Sequence, residues 1–390
     1  MISNINPENL FLFKSELIDI LIKILAIKSL TGYEDELADF ILNFIKSYVN
    51  LNEINIIKER NNIVVFNKNI NLDKKNDQIL ALVGHIDTVD NVNEYNLRVI
   101  EGKVYGLGSS DMKAGIAVML LLLKYFYKFR NLIWIFYDQE EGSFINNGLN
   151  IVFRRCWDLI KNTDLAIILE PTDNYIELGC NGVCNVEVFY KGKSGHSARK
   201  YSYINPFYKI VPLLNKIQEL PEFEAKLNIL NKEIVFKSNF VVTDIKGVMN
   251  DFRDNKFRNV VPEYAKLNLN IRFPFTFNKG DLLSFINKFL YEVKVDIIKV
   301  VDYAPAGKII FNNLLSDFIN YYVKYFGDLR VKPKEAYTDV SKFTNDSISA
   351  INFGPGSPYL AHQKNEYVLI SNLTQNFLFL YNLILKIGNS

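Results

Sequence analysis

Short apolar runs and stretches of helical spacing alternate over the first half of the chain. Residues 79–83, 132–136 and 166–169 are uninterrupted apolar runs, the pattern of strands buried on both faces. Helices are predicted over 17–26, 36–48 and 151–160, with Thr31-Gly32-Tyr33-Glu34 as a turn and cap between the first two. A further helix is predicted from Asp111, carrying the longest apolar run, 114–123, which is closed by Lys113 and Lys124. Alternating strands and helices predict an α/β layered domain, in which sites collect just past the carboxyl ends of strands.

The pattern changes in the middle of the chain. Residues 183–190 alternate like a half-exposed strand, 205–220 read as a helix, 240–245 and 265–272 as strands, 282–291 as a helix and 295–301 as a strand. That β-α-β-β-α-β order predicts a ferredoxin-like α+β domain. The α/β pattern resumes around Ala304-Pro305-Ala306-Gly307, and 350–353 form a short strand before Gly354-Pro355-Gly356. The expected division is a catalytic domain over 1–183 and 303–390, interrupted by an inserted domain over 184–302.

Composition narrows the function classes. With 390 residues, 49% apolar and 23% charged, the chain can bury a large core and divide into two domains. The 45 basic and 43 acidic residues leave a net charge of +2, so no surplus points to nucleic acid or an anionic membrane, and a small-molecule ligand is expected. The 114–123 run is far short of the ~20 residues a membrane span needs. Residues 1–9 lack a basic segment followed by an apolar core, so no export signal is expected and a cytoplasmic location is. Three cysteines, Cys156, Cys180 and Cys184, are an odd number without C-x-x-C spacing and read as reduced core thiols.

Only three histidines occur, each in a short polar motif: Gly84-His85-Ile86-Asp87, Gly195-His196-Ser197-Ala198 and Leu360-Ala361-His362-Gln363. A lone histidine is more often packed core or surface than a ligand. Here, however, carboxylates gather at predicted strand ends: Asp87 beside His85, Asp111 at a helix start, Glu140 and Glu141 after one strand and Glu170 after another. Two imidazoles and three carboxylates suit a pair of zinc ions, one carboxylate bridging. Adjacent side chains after a strand point in different directions, so one of Glu140 and Glu141 can hold metal while the other faces the reacting water.

Taken in order, Gly84-His85-Ile86-Asp87-Thr88-Val89, the 106–115 segment from Gly106-Leu107-Gly108 to Ala114-Gly115, Glu140-Glu141-Gly142, Leu169-Glu170-Pro171-Thr172 and Gly195-His196-Ser197-Ala198 resemble the motifs of the di-zinc desuccinylase and deacetylase family. The likeness spans nearly the whole chain and is greatest toward the desuccinylases, on Tyr337-Thr338-Asp339-Val340 and Asn352-Phe353-Gly354-Pro355-Gly356 before His362. It implies a zinc-peptidase-like catalytic domain, a central mixed sheet flanked by helices, and a dimerisation (lid) insert.

Carried over residue by residue, the resemblance implies two Zn2+ per subunit, with Co2+ able to substitute. Asp111 would bridge, His85 and Glu170 would complete one ion, and Glu141 and His362 the other. Asp87 would orient His85, and Glu140 would be the general base toward a water acidified by the metals. His196 would reach the partner subunit's active site to stabilise the oxyanion, so a homodimer is implied. Asn259, Arg272 and Arg199 resemble positions that hold the substrate's carboxylates.

The implied reaction is hydrolysis of N-succinyl-LL-2,6-diaminopimelate to succinate and LL-2,6-diaminopimelate, in diaminopimelate and lysine biosynthesis. Related alternatives are an N-acyl amino acid deacylase of the acetylornithine type and a dipeptidase with the same metal site. Glu170, where related aminopeptidases tend to carry aspartate, argues against a peptide substrate. Gly179-Cys180-Asn181-Gly182 stands where many desuccinylases have a basic residue, which bears on the acyl group. A catalytically silent protein would need a missing ligand or base, and none is missing.

Overall fold

The structure, a computed structural model, describes residues 6–72, 78–90, 97–229 and 231–388. The buried apolar runs form the centre of an eight-stranded mixed sheet, ordered Ile54–Glu59, Asn62–Asn67, Leu132–Tyr137, Leu80–His85, Leu165–Ile168, Ser349–Asn352, Ile176–Leu178 and Val331–Pro333. The four central strands from Leu132–Tyr137 to Ser349–Asn352 run parallel, so their carboxyl ends share one edge. Each is buried along its whole length, as continuous apolar composition requires of strands covered on both faces.

Helix Lys113–Phe126 lies against this sheet and packs against helices Pro7–Ala26, Asp35–Tyr48 and Ile370–Gly388. Its close approach has one clear cause: a Cβ on Gly115 would sit 2.6 Å from the Leu169 carbonyl oxygen. Lys113 does not close the apolar run at the surface. It is buried and donates to the carbonyls of Ile24 (3.1 Å) and Ile27 (2.7 Å) at the end of helix Pro7–Ala26, where a cation satisfies carbonyls the helix leaves open. Burial brings its ammonium pKa down to about 7.

The chain divides into two units, one up to Gly179 with Ile309–Lys332 and everything from Lys342, the other Cys180–Lys308 with Pro333–Ser341. The insert expected at 184–302 lies within the second unit. Its four-stranded antiparallel sheet is ordered Asn239–Val248, Tyr264–Phe273, Gly182–Lys191, Ile297–Ala304, the ferredoxin-like arrangement. Tyr264–Phe273 alternates strictly, turning Ala265, Leu267, Leu269, Ile271 and Phe273 into a core closed by Leu213 and by Leu282, Ile286 and Leu290 of helix Lys279–Glu292.

Three local expectations change. The helix predicted over 205–220 is a 3-10 turn, Pro206–Lys209, followed by helix Val211–Gln218, because Pro212 cannot donate into a preceding turn. The helix over 151–160 is two, Leu149–Arg155 and Trp157–Ile160, separated at Cys156. Unanticipated are a hairpin, Glu224–Ile229 with Lys232–Lys237, and a three-stranded sheet of Arg98–Ile100, Lys103–Tyr105 and Tyr367–Leu369.

Candidate metal centre

The parallel edge delivers the expected groups to one place. His85 ends its strand, Glu140 and Glu141 follow Leu132–Tyr137, and Glu170 follows Leu165–Ile168. Asp111 comes from the turn before helix Lys113–Phe126, and His362 from the segment between Ser349–Asn352 and Tyr367–Leu369. Asp111 lies between the two imidazoles, its Oδ1 3.1 Å from His85 Nε2 and its Oδ2 3.5 Å from His362 Nε2. Glu170 Oε1 is 3.9 Å from His85 Nε2, and Glu141 Oε1 is 2.7 Å from His362 Nε2. Donor atoms of His85, Asp111 and Glu170 form one cluster within 4.8 Å of each other, and those of Asp111, Glu141 and His362 form a second. Asp111 is common to both. Glu140 joins a further group with His85 and Glu141.

Asp87 organises the cluster from beneath. Its carboxylate accepts the backbone N–H groups of Glu140 and Glu141, each at 3.0 Å, and the Thr31 hydroxyl at 2.9 Å. His85 Nδ1 lies 3.1 Å from the Asp87 carbonyl and 3.4 Å from its Oδ1. A proton on Nδ1 therefore donates to Asp87 and leaves Nε2 facing Asp111, the tautomer a metal needs. His362 adopts a left-handed backbone (φ 61°), one that histidine tolerates better than most residues.

Electrostatics bind these groups to one another. Burial opposes the charge of Asp111, yet hydrogen bonds to His362 and His85 hold its carboxyl well below the usual range. The His362 imidazole is raised to about 10 by its hydrogen bonds to Asp111 and Glu141. His85 is raised well above its ordinary value because Asp111 and Asp87 outweigh its burial. Burial and the Asp111 charge push Glu141 up. Asp111 and Glu141 thus meet imidazoles rather than Lys or Arg. Carboxylates and imidazoles sharing an edge are the donor set of a divalent-cation site, and the residues fit a pair of ions.

Several residues support the cluster, and Glu366 and Arg60 among them were not singled out from the sequence. Glu366, nearly fully buried, accepts the backbone N–H of Gly108 (2.9 Å), Ser110 (2.6 Å) and Asp111 (2.9 Å). Burial pushes its carboxyl up to about 7 against the pull of those donors. Gly108 must be glycine here: its φ is +80° and a Cβ would meet Thr88 Cγ2 at 2.6 Å. Ser110 Oγ donates to the Ser357 carbonyl (3.1 Å) and accepts its N–H (2.6 Å). Arg60 grips Asp138, just ahead of the Glu140 pair, through two N–H groups. No local signal marked Glu366, which precedes Tyr367-Val368-Leu369, a strand too short to stand out by alternation.

The remaining expected residues lie in the second unit. His196 and Val260 are paired across a two-residue ladder, and Ser197 donates to the Asn259 carbonyl (2.9 Å), so His196 and Asn259 are neighbours. His196 is exposed, its Nδ1 accepting the Ala198 N–H at 3.1 Å, and the Arg199 N–H donates to the His196 carbonyl at 2.8 Å. Arg272 stands apart at the end of Tyr264–Phe273, half-buried, and no described carboxylate pairs with it. Burial lowers its guanidinium pKa. Asn181 is buried and donates to the Lys237 carbonyl at 2.9 Å.

Comparison with known proteins agrees with this picture. Residues 81–386 match the model of Peptidase family M20/M25/M40. A succinyl-diaminopimelate desuccinylase of Corynebacterium glutamicum is 29% identical over 360 residues, 90% of this chain and 91% of its own. Among solved structures, the di-peptidase Dug1p of Saccharomyces cerevisiae shares the fold with a TM-score of 0.73 at 14% identity, over 98% of each chain. The Bacillus subtilis YXEP protein, described as a dinuclear metal binding peptidase, does so with a TM-score of 0.66 at 14% identity, over 97% of this chain and 99% of its own.

Proposed function

Because the chain belongs to Peptidase family M20/M25/M40 and is a metal-dependent amidohydrolase, we propose that it hydrolyses N-succinyl-LL-2,6-diaminopimelate to succinate and LL-2,6-diaminopimelate. The observation that carries the chemistry is Asp111 shared between two three-residue donor clusters. His85 and Glu170 would hold one zinc ion and Glu141 and His362 the other, with Asp111 bridging. When bound, the ions would polarise the scissile carbonyl and make the attacking water more acidic. Cobalt suits the same donors.

Glu140 is the general base. Its carboxylate belongs to the group with His85 and Glu141 but to neither Asp111 cluster, which leaves it to take a proton from the attacking water and return it to the departing amine nitrogen. Asp87 fixes the backbone of that base and the tautomer of His85 in one step. Arg272 is an unpaired planar fork matched to a carboxylate, and Asn259 and Arg199 supply further donors, which supports an acyl chain ending in a carboxylate. His196 would stabilise the oxyanion from the partner subunit of a homodimer in the cytoplasm.

The test is a side-by-side assay of zinc-loaded protein on N-succinyl-LL-2,6-diaminopimelate, N-acetylornithine and a dipeptide. Succinate release with kcat/KM at least about tenfold above the others is expected, the ~1.4 kcal/mol that one lost carboxylate contact would cost. Greater turnover of either competitor would replace the substrate while leaving the metal site intact. Asn181, where many desuccinylases carry a basic residue, makes N-acetylornithine the informative competitor.

A further inference from the structure

The mechanism uses Asp111 and His362 but does not explain what sets their separation. They come from segments about 250 residues apart in the chain, Asp111 from a glycine-containing turn and His362 from a succession of turns. Within that region one residue of the His362 segment reaches across to the backbone of the Asp111 turn. Glu366 Oε1 accepts the N–H groups of Ser110 and Asp111, Oε2 accepts that of Gly108, and the Glu366 carbonyl accepts the N–H of Gly106 at 3.1 Å. Four residues before it stands His362, and immediately after it Tyr367–Leu369 pairs with Lys103–Tyr105, the strand leading into the same turn.

We infer that Glu366 is a positioning residue which fixes Asp111 relative to His362, and so builds the Asp111–Glu141–His362 half of the centre; this rests on the two-metal reading above. A carboxylate is required because the turn presents three N–H groups to one buried point. A glutamine would offer one acceptor oxygen and aim its own N–H2 at a backbone donor. The two ligands peculiar to the other half, His85 and Glu170, have a scaffold that does not involve Glu366. His85 ends one strand and Glu170 follows the parallel strand beside it, and Asp87 anchors His85. Losing Glu366 should therefore affect the two halves unequally.

The experiment titrates metal-free protein with Zn2+ in competition with a chelating indicator, and with Co2+ while recording the visible absorption of the bound ion. Wild type should bind two ions; fewer than two would reject the underlying two-metal reading, whatever the variants do. Glu366→Gln should keep the first affinity within threefold and weaken the second about 10–100-fold, the range seen when a ligand's supporting partner is removed. Its second-site Co2+ spectrum should also change. Glu366→Asp keeps the charge but is one methylene short, and should fall between. Two ions bound with wild-type affinity and spectrum by Glu366→Gln would overturn the inference, as would equal weakening of both sites. If Glu366→Gln gives no folded chain by circular dichroism, Glu366→Asp decides by the same readings.

Discussion

At the scale of single residues, Asp87 bears more than its place beside a histidine suggests. Its carboxylate holds the backbone of both Glu140 and Glu141, so Asp87→Ala should disturb the proposed base and a proposed ligand together. Two N–H groups lose their acceptor, at about 1–3 kcal/mol each where they stay dry. Turnover and metal affinity should both fall about 10–100-fold, read by kinetics and chelator competition, whereas Glu140→Ala should keep both ions and lose most turnover. Retained turnover in Glu140→Ala would move the base elsewhere. The cysteines make the opposite case. Burial pushes the Cys156 and Cys184 thiols up to about 11 and raises Cys180 as well. A thiol raised on folding favours the native state in its protonated form, and that contribution fades as pH climbs past the unfolded value near ~8.5. At pH 8 a thiol reagent should find no reactive cysteine in the native protein and all three after urea unfolding.

Elements explain what the sequence revealed and what it withheld. Continuous apolar strands and clean alternation were legible, because the parallel centre and the Tyr264–Phe273 strand are each dictated by which faces are buried. That His85, Asp111, Glu141, Glu170 and His362 gather as a candidate cluster was legible, because short polar motifs at strand ends and turns carry them. Glu366 was not, since its role depends on a pairing between Lys103–Tyr105 and Tyr367–Leu369 that no local pattern encodes. Nor was buried Lys113, which reads as a surface charge until helix Pro7–Ala26 is seen to end on it. The packing of helix Lys113–Phe126 gives a sharper test. Gly115→Ala gains about 1 kcal/mol of helix propensity, but its Cβ would meet the Leu169 carbonyl at 2.6 Å, and overpacking costs about 1–3 kcal/mol. Because that contact is backbone beside Glu170, the clash should win. Urea unfolding should show net destabilisation, with weaker metal binding.

For the whole molecule, the second unit has to be given a purpose. His196 lies beside Asn259 in that unit, and its proposed action in the partner's site can be tested by mixing defects. His196→Ala and Glu140→Ala chains, co-expressed with different tags, should recover partial activity as hybrids, because one site would again hold both residues. The His196→Ala parent alone should lose about 2.7–4 kcal/mol of transition-state stabilisation at unchanged zinc content. Hybrids that co-purify yet are no more active than either parent would confine the second unit to joining subunits.

The hydrogen bond from the Asp111 N–H to Glu366 spans 255 positions of the chain. A contact of that reach closes late, after the loss of chain entropy in a very large loop, and a growing chain cannot make it until Glu366 has been synthesised. Cation capture then becomes a clock for completed folding. In refolding from urea, helical circular dichroism should return first and Co2+ absorption only afterwards. Simultaneous recovery would mean that the centre forms before the chain has closed around it.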